Sequence, residues 1–112
     1  MREFTIHRSS DMPLIFKGEV LASASTFAPA KKRWTECMLY LSDSGRFVSH
    51  STGKSKMPNE IDIVNAQAFT NVVDAVNFFR DRNGRLSWLT SQIVRGASAS
   101  FPDLQDQVSE RV

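Results

Sequence analysis

The sequence predicts an α+β domain: an antiparallel β-meander of four to five strands, followed by two α-helices packed on one face of the sheet. Three observations carry this. Between Lys31 and Lys56, two alternating apolar runs flank a short Ser-Gly turn, the pattern of a β-hairpin. Near Gln67 the apolar period changes from that of a strand to that of a helix. Strand-like segments precede helix-like ones throughout.

Residues 2–8 alternate Phe4 and Ile6 with polar neighbours and read as a first strand, broken by Asp11-Met12-Pro13. Residues 14–22 read as a second, with Leu14, Phe16, Val20 and Ala22 on one face. Gly18 falls on that face and marks a bulge or a close backbone approach. Ser23 to Ala30 is small and polar and reads as a loop.

In the hairpin, a three-residue loop Asp43-Ser44-Gly45 sets Ser42 opposite Arg46. Leu41/Phe47, Leu39/Ser49 and Cys37/Ser51 then share one face. Tyr40/Val48, Met38/His50, Glu36/Thr52 and Trp34/Lys54 share the other. A two-residue Ser44-Gly45 turn would shift each pairing by one. Gly53 to Asn59 is a breaker, and Glu60 to Val64 reads as a further short strand.

From about Gln67 to Arg80, Phe69, Val72, Val73, Val76 and Phe79 recur at helical spacing, with Asn65 as the expected cap. Asp81 to Gly84 ends this helix. A second runs from about Ser87 to Arg95, with Leu86, Leu89, Ile93 and Ala97 on one side and Gly96 as its stop. Trp88 beside that stripe is expected to be partly buried, the alternative being an exposed anchor for a partner. Residues 1–97 form the predicted domain. Residues 98–112 form a tail, frayed or folded into a short helix from Pro102 carrying Leu104 and Val108.

At 112 residues the chain buries roughly two-thirds of its unfolded surface, enough for one core. Its 41% hydrophobic and 23% charged content is that of a soluble globular domain, and no apolar run approaches the roughly 20 residues that span a bilayer. The start of the chain lacks the apolar segment of a secretory signal. Cys37 is the single cysteine, so an internal disulfide is excluded and a reducing compartment is expected. A cytoplasmic protein of a bacterium, phage or plasmid is the resulting expectation.

The net charge of +2 is unevenly spread. Residues 1–56 hold nine basic against five acidic side chains, residues 57–112 five against seven. The strand-rich half therefore offers a surface to an anionic partner.

Motifs of catalysis are missing. His7 and His50 stand at no metal-ligand spacing with Cys37 or a carboxylate. The predicted register puts Cys37 and His50 on opposite faces, against a nucleophile pair. Glu60 and Asp62 would share a strand face, but no Gly-rich loop, catalytic Lys or third carboxylate accompanies them. They read as solvated edge charges or as an acidic contact for a partner. Gly53-Lys54-Ser55 matches the end of a phosphate loop but lacks its first glycine and its helix. No cofactor or metal is expected, and the chain reads as a non-enzyme.

The best candidate site is basic and aromatic. Lys31, Lys32, Arg33 and Trp34 enter the hairpin where Lys54 and Lys56 leave it. Tyr40 and His50 lie further along the same face, and Arg46 follows the turn. Cations around stacking rings are how single-stranded nucleic acid is bound. The competing readings are a contact for an acidic protein, such as the target of a small inhibitor or accessory protein of a plasmid or phage, and a solubilising, aggregation-blocking hairpin end. An exposed sheet edge would also allow a homodimer.

The sequence Trp34…Leu39-Tyr40…Gly45-Arg46-Phe47-Val48 resembles small proteins of bacterial mobile elements in which such a hairpin precedes helices. That resemblance implies no activity. The strand-strand-strand-strand-helix order is similar to one repeat of PUR/Whirly-type single-strand binders, an architectural likeness that transfers no residue roles.

Overall fold

The computed structural model describes residues 2–80, 88–102 and 104. Among these, five strands form one antiparallel sheet in chain order: β1 (Arg2–Ile6), β2 (Leu14–Ser25), β3 (Arg33–Ser42), β4 (Phe47–Ser55) and β5 (Ile63–Phe69). Helices α1 (Val72–Asn77) and α2 (Trp88–Ala97) follow.

The β3–β4 hairpin has the register that the three-residue loop predicts. Leu41 pairs with Phe47, Leu39 with Ser49 and Cys37 with Ser51, while Trp34 pairs with Lys54 and Met38 with His50. The Ser42 N–H donates to the Arg46 carbonyl at 2.8 Å, and Gly45 takes a φ of 83° that closes the loop.

Both faces of the sheet are apolar, and each is covered differently. On one, Ala22, Cys37, Leu39 and Phe47 pack with Ala75 and Val76 of α1 and Ile93, Val94 and Ala97 of α2. The Ser49 hydroxyl donates to the Ala75 carbonyl at 2.6 Å, satisfying a polar group inside this layer. On the other face Ile6, Tyr40, Val48 and Ala66 are buried although, among the described residues, no helix packs on them. Curling of the sheet does the covering. In a flat sheet β1 and β5 would lie about 19 Å apart, four strand spacings. Instead the Ser9 N–H, just beyond β1, donates to the Val64 carbonyl at 3.0 Å. The Val64 N–H returns a bond to Ser9 Oγ at 2.7 Å, and Arg8 Nη1 donates to the Ala66 carbonyl at 3.2 Å. Inside the curl, Phe4 and Phe16 lie 4.8 and 5.2 Å from the Tyr40 ring.

Several sequence expectations are corrected. β2 runs on to Ser25, taking in the first three residues of the expected loop, and its bulge lies between Val20 and Ala22. The extra residue, Leu21, turns Ala22 and Ala24 to the helices, while Phe16 packs inward with Tyr40 and Val20, paired with Tyr40, stays exposed. Gly18 is the close approach: a Cβ there would overlap the Leu41 carbonyl oxygen. The last strand is Ile63–Phe69 rather than 60–64, so the first helix shortens to Val72–Asn77. Its cap is Asn71, whose side chain accepts from the Asp74 N–H and donates to the Asp74 carboxylate, both at 2.9 Å. Gly96 does not stop α2 but lies within it, where a Cβ would come within 2.8 Å of the Ala22 Cβ. Trp88 is 60% exposed. Leu104 is buried and Phe101 packs on Phe47, so the described part of the tail joins the core. The expectations for Asp81 to Gly84, Leu86 and Val108 lie outside the described residues.

Candidate functional site

The start of β3 and the end of β4 form the open end of the hairpin, with Arg33 opposite Ser55 and Trp34 opposite Lys54. The Lys56 N–H donates to the Lys32 carbonyl at 2.9 Å, which extends the pairing by one step. Lys31, Lys32, Arg33, Lys54 and Lys56 therefore do gather at one end, as the sequence suggests.

Their charge is partly cancelled, which the sequence reading did not anticipate. Arg33 grips the Glu60 carboxylate in a forked pair, with Nε at 2.8 and 3.1 Å from its two oxygens and Nη2 at 2.9 Å. The Ser55 hydroxyl donates to the same carboxylate at 2.6 Å. These bonds hold the Glu60 carboxyl below the usual range, and the carboxylate in turn raises the guanidinium. Lys54 pairs with Asp62 at 3.6 Å. Lys31 and Lys32 have no ion-pair partner among the described residues. Lys56 lies over the Phe27 and Trp34 rings at 5.2 and 5.7 Å.

Trp34 is built in rather than splayed out. Its indole N–H donates to Glu36 at 2.7 Å, and Phe27 meets its ring edge-on at 5.0 Å. Phe27 comes from the stretch that reads as a featureless loop, but two contacts with β3 fix it there. The Thr26 N–H bonds the Thr35 carbonyl at 3.0 Å, and the Thr35 N–H bonds Thr26 Oγ1 at 2.9 Å.

Beside this cluster runs an open groove of about 390 Å³, lined among others by Thr26, Trp34, Gly53, Ile61 and Ile63. Ile61 is 85% and Ile63 58% exposed, and Phe27 close by is 50% exposed. Arg33, Lys54 and Glu60 line the same groove, so paired charges and solvated apolar side chains share it. A signal was present in the sequence. Glu60-Ile61-Asp62-Ile63 alternates acids with β-branched residues shortly after the basic strand end, and the acids have the right sign to meet Arg33 and Lys54.

Other predicted site residues lie elsewhere. Tyr40 is on the Trp34 face but buried inside the curl, where its hydroxyl is 3.2 Å from both Met38 Sδ and His50 Nδ1. His50 is half-buried, and its Nε2 lies 3.2 Å from Thr52 Oγ1. Burial pushes the His50 pKa down against the opposing pull of Glu36. Arg46 stands at the turn, roughly 26 Å of strand from Lys54. Cys37 faces the helices and His50 the inner layer, so the sheet separates them. Burial raises the Cys37 thiol. Gly53-Lys54-Ser55 lies within β4, not at a helix start. Among the described residues no group of three or more His, Cys, Asp or Glu side chains is placed to hold a metal ion, and no helix is long and apolar enough to cross a membrane.

No family model matches the chain, and no curated protein or solved structure is significantly similar to it.

Proposed function

We propose that the protein is a small non-enzymatic binding module that holds a partner protein in the groove at the open end of the β3–β4 hairpin. The observation that carries this reading is the exposure of Phe27, Ile61 and Ile63 beside that groove. Leaving such side chains in water costs free energy that a partner would recover, on the order of 1.5–3 kcal/mol for each one fully buried. The buried single thiol of Cys37 supports a cytoplasmic setting for this activity.

A second reading, binding of single-stranded nucleic acid, is favoured by Lys31, Lys32 and Lys56 beside the Phe27 and Trp34 rings. The acids Glu36, Glu60 and Asp62 weigh against it, because they stand among the cations that a phosphate chain would need.

Fluorescence anisotropy with labelled single- and double-stranded oligonucleotides, at about 50 and 200 mM salt, separates the two. The protein reading expects no micromolar binding at the lower salt. Tight binding that falls steeply with salt and is lost in Lys32→Glu and Trp34→Ala would overturn it in favour of nucleic acid.

A further inference from the structure

We infer that the occupant of the groove is an extended protein segment that alternates acidic with β-branched or aromatic side chains. This rests on the reading of the groove as a protein-binding site and adds the chemistry of the partner.

Charge at the hairpin end sets the chemistry of the occupant. Five cations stand at the hairpin end, and three carboxylates stand with them: Glu60 on Arg33, Asp62 on Lys54, and Glu36 on the Trp34 indole. The surplus is positive and sits on Lys31, Lys32 and Lys56. Among the described residues none of these three has a carboxylate within ion-pair distance. A partner complementary to this end therefore brings negative charge to those three lysines and keeps it away from Glu60 and Asp62.

A phosphate backbone cannot make that distinction, since every nucleotide carries a charge. Two like charges about 4 Å apart repel by about 1 kcal/mol even in bulk water, and by more in a groove. A peptide can place carboxylates at chosen positions and apolar side chains between them. Ile61 and Ile63 supply the matching rhythm. They alternate in sequence with Glu60 and Asp62 as the chain enters β5, and both line the same groove. A volume of about 390 Å³ takes a few side chains of an extended segment rather than a folded surface. Lys56, held over Phe27 and Trp34, can donate to a carboxylate beside those rings. The apolar contacts supply most of the affinity, because exposed ion pairs contribute little, and the lysines select for sign.

The test uses the full chain and four labelled probes of equal length. These are a peptide alternating Glu with Ile and Phe, the same peptide with Lys for Glu, the same with Ser for Ile and Phe, and a single-stranded oligothymidine. The first is expected to bind about tenfold or more tighter than each of the others. The paired change Lys31→Glu with Lys32→Glu should weaken it about tenfold. The pair Ile61→Ser with Ile63→Ser should abolish it while the chain stays folded, with at most a small fall in melting temperature because Ile61 is 85% and Ile63 58% exposed. Equal binding of the Glu and Lys peptides, both lost in the isoleucine variant, would overturn the acidic partner while leaving a protein-binding groove. Binding untouched by the isoleucine variant, or binding of oligothymidine alone, would overturn the groove reading itself.

Discussion

Arg33 and Glu60 stand 27 residues apart and join the open end of the β3–β4 hairpin to the loop that leads into β5, through three hydrogen bonds of 2.8 to 3.1 Å. Because the pair lowers the Glu60 pKa, it favours the folded loop above the ordinary carboxylate value of 4.5 and is lost as pH falls through the depressed folded value. An NMR titration should place the Glu60 carboxyl midpoint below 4.5. Arg33→Ala should return it most of the way, leaving the smaller effect of Ser55. An unchanged midpoint in that variant would mean that the fork does not persist in solution.

His50 should make stability depend on pH near neutrality. Its folded pKa is depressed by burial, so between that value and the unfolded value of 6.5 the unfolded chain binds more protons. Stability is therefore full above 6.5 and falls as the solution is acidified. One extra proton gives a slope of at most about 1.4 kcal/mol per pH unit. Urea melts at pH 7.5, 6.5 and 5.5 should show the decline, and His50→Gln should flatten it.

Leu39 and Ile61 are both aliphatic, yet their truncation should differ sharply. Leu39 is fully buried between sheet and helices, and Leu39→Ala should cost about 2–5 kcal/mol. Ile61→Ala should change stability by less than about 0.5 kcal/mol. Chemical denaturation measures both. A large loss at Ile61 would show that it supports the fold rather than a partner.

The seam between Ser9 and Val64 should be visible in hydrogen exchange. Ser9→Ala removes the acceptor of the Val64 N–H, a bond of 2.7 Å. The Val64 amide should exchange faster, with a stability loss of about 1 kcal/mol. Unchanged exchange would indicate a sheet more open than the one described.

Gly18 and Gly45 should both resist replacement, for different reasons. Gly18→Ala drives a Cβ into the Leu41 carbonyl oxygen and within 2.9 Å of the Ser42 Cα, for a loss of about 3 kcal/mol. Gly45→Ala meets open space but must hold a φ of 83°, a loss of about 1 kcal/mol. Denaturation melts of the two variants should rank them in that order.

How far the fold was legible follows from which residues carry local signals. The hairpin could be read because Asp43-Ser44-Gly45 has turn chemistry and its flanks alternate cleanly. Near residue 65 the signal fails. Asn65-Ala66-Gln67-Ala68 is small and polar, and Phe69 fits both a helical stripe and a strand, so only pairing with β4 decides for strand. Gly96 resembles a helix stop, and only the approach of Ala22 from another element explains it. The curl, and with it the burial of Tyr40, depends on a seam between residues 55 positions apart. At the candidate site the cations were legible as a cluster. The pairing of Arg33 with Glu60 and of Lys54 with Asp62 was signalled only by the sign of those acids, and the placing of Phe27 beside Trp34 arises from a loop whose course no periodicity encodes.

The most direct test of the central claim is a backbone and indole NMR titration of the full chain with the peptide that alternates Glu with Ile and Phe. Binding in the groove should give shifts that cluster at Phe27, the Trp34 indole, Ile61 and Ile63, and that leave Arg46 and Trp88 in place. Shifts centred on the turn at Arg46 or on α2, with the open end of the hairpin silent, would contradict it.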